Sequence, residues 1–127
     1  MAFEPMIFVD DVETTSRFLQ QLLGLKSAHG GKEYEMLTDG AGALALQLHH
    51  ADADEHGGER LPTGAPRGVG VLLYFNVPDV RAAYATAQAM GARCEGPPTF
   101  ILQARHTEFV VRDLDGYAIA IYQRGEA

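Results

Sequence analysis

The residues best suited to proton transfer lie on or beside predicted strands. His49 and His50 are adjacent at the end of the alternating segment 43–49, so only one can face a cavity, and the alternation favours His49. A histidine there can donate a hydrogen bond or act as a general base; a structural or rim histidine is the competing interpretation. Glu4 and Glu108 are candidate acid–base carboxylates, although the sequence alone does not pair them.

Histidines and acidic residues also cluster in segment 49–57, which has the composition of a metal site. Read as a calcium loop that starts at Asp52, it has Asp54 in place, but position five is His56 and position twelve is Thr63. The bidentate glutamate that closes such a loop is missing. A transition-metal site built from these side chains is an alternative, and a solvated linker is the favoured interpretation.

The composition describes a small acidic globular domain. Its 127 residues carry a net charge of −7, which argues against nucleic acid as a partner and permits a cationic ligand. Cys94 is the single cysteine, so no internal disulfide can form and a reducing compartment is expected. The N-terminus does not resemble a signal peptide. The longest apolar run, 69–75, is too short to span a membrane. We therefore expect a cytoplasmic protein with no membrane partner.

The first half of the chain has the pattern of a β-α-β-β-β unit. Asp10 followed by Glu13 predicts a capped helix start, and Gly24 predicts the helix end. Turn residues separate three further strands. Helical spacing predicts that the helix buries Val12, Leu19, Leu22 and Leu23. The predicted strands are 6–9, 26–29, 33–37 and 43–49.

The second half repeats this order at a separation of 68 residues, the distance from Val12 to Val80. Asp79 is a possible helix cap, and the helix is expected to bury Val80, Tyr84 and Ala87 and to end at Gly91. The predicted strands of this half are 70–76, 93–95, 107–112 and 117–123. Within one domain, 1–127, we expect module 1 at about 1–50, a linker at about 51–67 and module 2 at about 68–127.

Two such units predict an α+β fold with mixed sheets. Strand alternation separates an aliphatic face from a mixed one; Leu44, Leu46 and Leu48 oppose Ala45, Gln47 and His49. We expect the aliphatic faces to pack on the helices and the mixed faces to line a concavity. The residues expected there are mostly apolar or aromatic: Met6, Phe8, Gln47, His49, Leu72, Tyr74, Asn76, Glu108, Ala120 and Tyr122, with His106 at the mouth.

Two segments resemble a known family. Phe18 with Leu22-Leu23-Gly24-Leu25, after a strand and an aspartate, is similar to the first-module signature of the vicinal oxygen chelate superfamily. Residues 113–121, Asp-Leu-Asp-Gly-Tyr-Ala-Ile-Ala-Ile, resemble its second-module ending, Asp-Pro-Asp-Gly-x-x-Ile-Glu-Leu. The group includes glyoxalase I, bleomycin-resistance proteins, fosfomycin-resistance enzymes and extradiol dioxygenases. The resemblance implies two tandem βαβββ modules that form a curled mixed sheet around a cavity, with helices on the outer face.

The resemblance also implies where a metal ion would bind. Metal-dependent members place ligands at four equivalent strand positions, which fall here at Glu4, Gln47, Leu72 and Ala120. Leu72 and Ala120 have no donor atom, and Glu4 with Gln47 would leave an ion mostly solvated. We therefore expect no metal and no other cofactor; a site at Glu4 and Gln47 is the weak alternative.

The leading functional hypothesis is a non-catalytic binding protein that resembles the bleomycin-resistance type. It would sequester a hydrophobic or aromatic small molecule, such as an antibiotic or another toxic natural product. An apolar and aromatic lining suits a flat ligand, with Gln47, His49 and Glu108 fixing its orientation. The resemblance implies a homodimer with sites shared between chains. The rival is a lyase, isomerase or dioxygenase on the same scaffold, either metal-dependent or using His49 and a glutamate for acid–base chemistry. The sequence does not identify the ligand.

Overall fold

A computed structural model describes residues 1–52 and 66–127. The chain divides into two compact units, 1–65 and 66–127. Asp54, His56 and Thr63, which entered the metal-loop interpretation, lie outside the described residues. The elements are β1 (Met6–Val9), α1 (Val12–Leu23), β2 (Lys26–Ser27), β3 (Tyr34–Thr38), β4 (Leu44–His50), β5 (Leu72–Asn76), α2 (Val80–Ala89), β6 (Arg93–Cys94), β7 (Thr99–Ile101), β8 (His106–Arg112) and β9 (Ala118–Arg124). In the described part of the chain, no helix is long and apolar enough to cross a membrane.

The first unit is a four-stranded mixed sheet with α1 packed on one face. The strand order is β1-β4-β3-β2, and the β1–β4 pair is parallel while the others are antiparallel. The predicted aliphatic face is buried, as at Val9, Leu46 and Leu48. Helix α1 buries Val12, Leu19 and Leu22 as expected; the prediction was wrong for Leu23, which is half-buried.

The N-terminus of α1 differs from the prediction by one residue. The N-cap is Asp11, whose carboxylate accepts a hydrogen bond of 3.0 Å from the backbone N–H of Thr14. The predicted cap, Asp10, lies one position earlier, so Glu13 is not placed to complete a capping box. This hydrogen bond lowers the pKa of Asp11. Both helices therefore begin in the same way, because Asp79 caps α2 through the N–H of Ala82.

The second unit has its own sheet, in the order β5-β9-β8-β6, with β7 also paired to β8. Helix α2 buries Val80 and Ala87 as predicted. Tyr84 is only half-buried: its ring packs edge-on against Phe109 at 5.2 Å, while its hydroxyl accepts a hydrogen bond from Gln88. Tyr84 was expected to be buried. It is only half-buried because its ring prefers the core while its hydroxyl prefers polar surroundings.

The parallel strand pair of each sheet has the same pairing register. Met6 pairs with Gln47 in the first and Tyr74 with Ala120 in the second, which corresponds to shifts of 68 and 73 residues. The same shifts relate every β1–β4 pair to a β5–β9 pair where both exist. A residue on one sheet thus has a defined counterpart on the other, and the counterpart of polar Gln47 is Ala120.

A longer connection in the second unit adds a strand that the sequence did not predict. Ser27 pairs with Leu37 in the first unit, and their counterparts in the second unit, Cys94 and Val111, pair in the same way. The distance along the chain is 67 residues from Ser27 to Cys94 but 74 residues from Leu37 to Val111. Seven additional residues therefore precede β8, and they include β7 and the turn at 102–105. The Pro97-Pro98 pair predicted a break in the chain and not a strand, because proline cannot donate a hydrogen bond within a sheet. The α+β class and the tandem module order are confirmed.

Candidate functional site

The face of the first sheet opposite α1 carries aromatic and amide side chains. We call it the first open face: Met6, Phe8, Tyr34, Gln47 and His49. The ring of His49 lies 5.6 Å from that of Phe8 and 6.3 Å from that of Tyr34. His49 is buried, and one ring nitrogen lies 3.1 Å from the carbonyl oxygen of His50. The four predicted residues of this module, Met6, Phe8, Gln47 and His49, thus occupy neighbouring positions.

Gln47 is held on both sides by its own unit. The hydroxyl of Tyr34 donates to Gln47 Oε1 at 2.5 Å, and Gln47 Nε2 donates to the carbonyl of Glu4 at 3.0 Å. Burial, together with the charges of Glu4 and Glu35, raises the pKa of Tyr34, so its hydroxyl stays a proton donor. The amide can present a fixed polar edge to a ligand.

Sequence reasoning missed Tyr34. Its place on the first open face follows from the β3–β4 register, which sets Tyr34 opposite His49. Alternation in segment 33–37 separates Tyr34 from Leu37, but it does not tell which cavity residues the tyrosine will meet. His29, also missed, packs edge-on against Tyr34 at 4.8 Å.

The face of the second sheet opposite α2 bears a denser cluster. We call it the second open face: Leu72, Tyr74, His106, Glu108, Ala120 and Tyr122. Three rings converge there, with centroid distances of 5.5 Å for Tyr74–Tyr122, 6.0 Å for Tyr74–His106 and 4.6 Å for His106–Tyr122. The predicted Asn76 lies at the end of β5 and donates to the carbonyl of Tyr122 at 3.3 Å.

Glu108 links two of these groups. One carboxylate oxygen lies 2.5 Å from His106 Nε2 and accepts a bond of 3.3 Å from the hydroxyl of Tyr74. Burial, reinforced by the charge of Glu108, raises the pKa of Tyr74. The predicted strand began at Thr107, but β8 begins at His106, which is buried, whereas Arg105 is exposed in the preceding turn. A carboxylate between an imidazole and a phenol can hold a proton or accept one from a ligand.

The predicted residues differ widely in accessibility. Tyr74 and Leu72 are 51% and 45% exposed, whereas Ala120 is fully buried. At Glu108, a recess of about 200 Å³ is lined by residues of β7 and β8, including Thr99, Ile101 and Val110, and by residues 95–97 before β7. The accessible part of the second open face is therefore the tyrosine–leucine surface and this recess.

The four metal positions implied by the resemblance do not fit a metal ion. Leu72 and Ala120 have hydrocarbon side chains, and the amide oxygen of Gln47 already accepts a hydrogen bond from the Tyr34 hydroxyl. Across residues 1–52 and 66–127, no three or more His, Cys, Asp or Glu side chains are grouped as a metal site requires.

The chain belongs to the Glyoxalase/Bleomycin resistance protein/Dioxygenase superfamily, whose sequence profile matches residues 3–121. This match confirms the family resemblance and agrees with the paired modules. No curated protein matches the sequence.

Solved structures of the same fold cover nearly the whole chain. A protein of unknown function from Agrobacterium tumefaciens str. C58 is 26% identical over 97% of this chain and 94% of its own, with a TM-score of 0.78. A protein from the mobile metagenome of V. pseudocholerae is 23% identical, covers 99% and 95%, and has a TM-score of 0.76. Lactoylglutathione lyase from Agrobacterium tumefaciens is 16% identical, covers 97% and 92%, and has a TM-score of 0.71. Similarity at this level shows a shared fold and not a shared activity.

Proposed function

We propose that the protein binds and sequesters a hydrophobic or aromatic small molecule, such as an antibiotic or another toxic natural product, without altering it. The observation that carries this proposal is the exposure of Tyr74 and Leu72 beside the hydrogen-bonded pair of buried His106 and half-buried Glu108. An exposed apolar surface next to a few fixed polar groups is the usual composition of a ligand site. The aromatic rings would stack on the ligand, and Glu108 would accept a hydrogen bond from it.

The first open face supports the same function. Phe8 and Tyr34 supply rings, Met6 supplies an adaptable apolar surface, and Gln47 supplies a fixed amide. Both open faces therefore combine aromatic area with one oriented polar group. We further propose a homodimer in which the two chains share each site, as the family resemblance implies.

Binding is tested by equilibrium dialysis of the whole protein against aromatic and peptide antibiotics, with the recovered ligand identified by mass spectrometry. Tight binding with unchanged ligand is the expected result. A converted product would overturn the sequestration proposal, and the absence of binding across the panel would overturn the ligand class.

A matched pair of leucines tests the location of the site. Leu72→Ala removes apolar surface from the second open face, and we expect about fivefold weaker binding. Leu114→Ala makes the same change at a residue of similar exposure, 55% against 45%, in the turn after β8. This control should bind as the wild type does. Equal effects of the two substitutions would place the ligand elsewhere.

The chain of hydrogen bonds from His106 through Glu108 to Tyr74 favours a second candidate, a metal-free acid–base enzyme. In that case incubation with a ligand yields product, and Glu108→Gln stops turnover while ligand binding persists. An unchanged turnover rate in this variant would remove Glu108 from the chemistry.

A further inference from the structure

A second pocket opens at the other end of the second open face. It has a volume of about 400 Å³, and its lining includes Arg67, Arg112, Val71, Leu72 and Ala118. We call it the arginine pocket. Leu72 belongs both to this pocket and to the second open face, so the two surfaces are continuous. We propose that the arginine pocket binds the carboxylate of an organic acid whose aromatic body lies on Tyr74. This inference rests on the proposed function.

Arg112 is the group that would meet the carboxylate. It lies on the same face of β8 as Glu108, opposite Ala118 of β9. Its Nε donates to Glu95 and its Nη1 donates to the carbonyl of Gly116. A guanidinium has five N–H donors, so these two bonds fix its plane and leave Nη2 to donate to a ligand. A held, half-exposed guanidinium is well suited to a carboxylate.

Two further arginines lie at this end of the second sheet. Both arginines of the pocket already have a carboxylate partner, Asp115 for Arg67 and Glu95 for Arg112. Arg67 forms the buried wall of the pocket, where its guanidinium donates to Asp115 at 3.4 Å. Arg93 pairs with Arg112 across β6 and β8. Like charges directly opposite on a sheet repel. The Glu95 carboxylate already pairs with Arg112, and a bound anion would add to the offset of that repulsion.

The turn that borders the pocket is constrained by close packing and by a backbone hydrogen bond. Gly68 has a positive φ of 74°, and a Cβ at this position would lie 2.7 Å from a ring atom of Tyr117. The N–H of Val71 donates to the carbonyl of Gly68 across the turn. These contacts restrict the conformations open to the pocket wall, which reduces the entropic cost of binding.

The strand register gives the dimensions of the ligand. Arg112, Ala118 and Leu72 form one row across the sheet, and Val110, Ala120 and Tyr74 form the row two residues along. Two residues span about 7 Å along a strand. A carboxylate separated from an aromatic ring by a short aliphatic chain fits this spacing.

Three probes with one body and different heads test the inference: 4-phenylbutanoate, 4-phenylbutan-1-ol and 4-phenylbutylamine. Binding to the full ¹⁵N,¹³C-labelled protein is followed by NMR titration, with the Leu72 and Ala118 methyl signals locating the head group. We expect the acid to bind about tenfold more tightly than the alcohol, and the amine to bind most weakly.

Arg112→Gln should reduce the preference for the acid to about twofold or less, because it removes the charge. Arg112→Lys should retain part of the preference, since the charge stays while the planar fork is lost. Arg81→Gln is the matched control: it removes the same charge from α2, on the opposite face of the sheet. This control should keep the full preference.

The alcohol separates the two proposals. If the alcohol binds and the acid is not favoured, or if Arg112→Gln keeps the preference, the carboxylate site is overturned while the aromatic site stands. If none of the three probes binds, the carboxylate site is overturned, while the sequestration proposal is still decided by the dialysis panel of antibiotics.

Discussion

Single residues carry the polar character of both open faces. Gln47 is held between Tyr34 and the backbone of Glu4, and Glu108 is held between His106 and Tyr74. In both cases a tyrosine hydroxyl donates to the central group. Such fixed polar groups restrict how a ligand can be oriented, whereas the rings around them tolerate different ligand shapes.

Asp113 gives a prediction at the same scale. Burial raises the pKa of its carboxyl from its ordinary value of 3.8 to about 6. The folded protein therefore favours the neutral acid, so its stabilising contribution is complete below pH 3.8 and is lost as the pH rises through 6. We expect the free energy of unfolding to fall by up to about 3 kcal/mol over this interval.

Urea denaturation at pH 4.5, 6 and 7.5 measures this dependence, with Asp113→Asn as the comparison. The variant keeps the oxygen that accepts from the N–H groups of Asp115 and Tyr117, but it cannot ionise. The stability of wild type relative to the variant should decrease as the pH rises. A constant difference over the three pH values contradicts the prediction.

At the scale of elements, α1 and α2 each begin at an aspartate that accepts a hydrogen bond from the N–H three residues on. Each helix then packs on one face of its own sheet, which leaves the other face open. The cap positions therefore help set the start of each helix relative to the strand that precedes it.

The N-cap of α1 is tested by paired substitutions. Asp11→Ala removes the acceptor for the Thr14 N–H and should lower the melting temperature by several degrees. Asp11→Asn keeps an acceptor and should have little effect. Both are measured by circular dichroism. A larger loss from Asp10→Ala than from Asp11→Ala would move the cap back to the position that the sequence suggested.

Local sequence patterns predicted the helices and strands well, because the periodicity of each element is visible in residues that are close along the chain. Both helices, the module order and most strands agree with the prediction. Strand β7 was missed because it directly follows the Pro97-Pro98 pair and because its pairing with β8 depends on a turn that no local signal marks. Tyr34 was missed for a related reason: its neighbours on the open face are set by the register of two strands. Residue contacts of this kind depend on pairing over a distance along the chain.

At the scale of the whole molecule, a single acidic chain contains two units whose parallel strands pair in the same register. Their open faces are not copies, since Ala120 replaces Gln47 and the arginine pocket belongs to the second unit. The proposed assembly of two chains would contain four such faces.

Sedimentation equilibrium tests this assembly. A dimer has twice the mass of the 13.8-kDa chain, and we expect that mass at micromolar concentration in the absence of ligand. A monomer at every concentration would contradict a site shared between chains, although ligand binding within one chain would be unaffected.

The extra hairpin before β8 has an evolutionary consequence. The second module accommodates seven more residues than the first between matching strands, yet the pairing on either side is unchanged. Insertions at this turn can therefore accumulate without disturbing the core. Because Thr99 and Ile101 of the hairpin border the recess beside Glu108, changes in its length would reshape the site directly. Descendants of one ancestral duplication could in this way diverge in ligand preference while their folding is conserved.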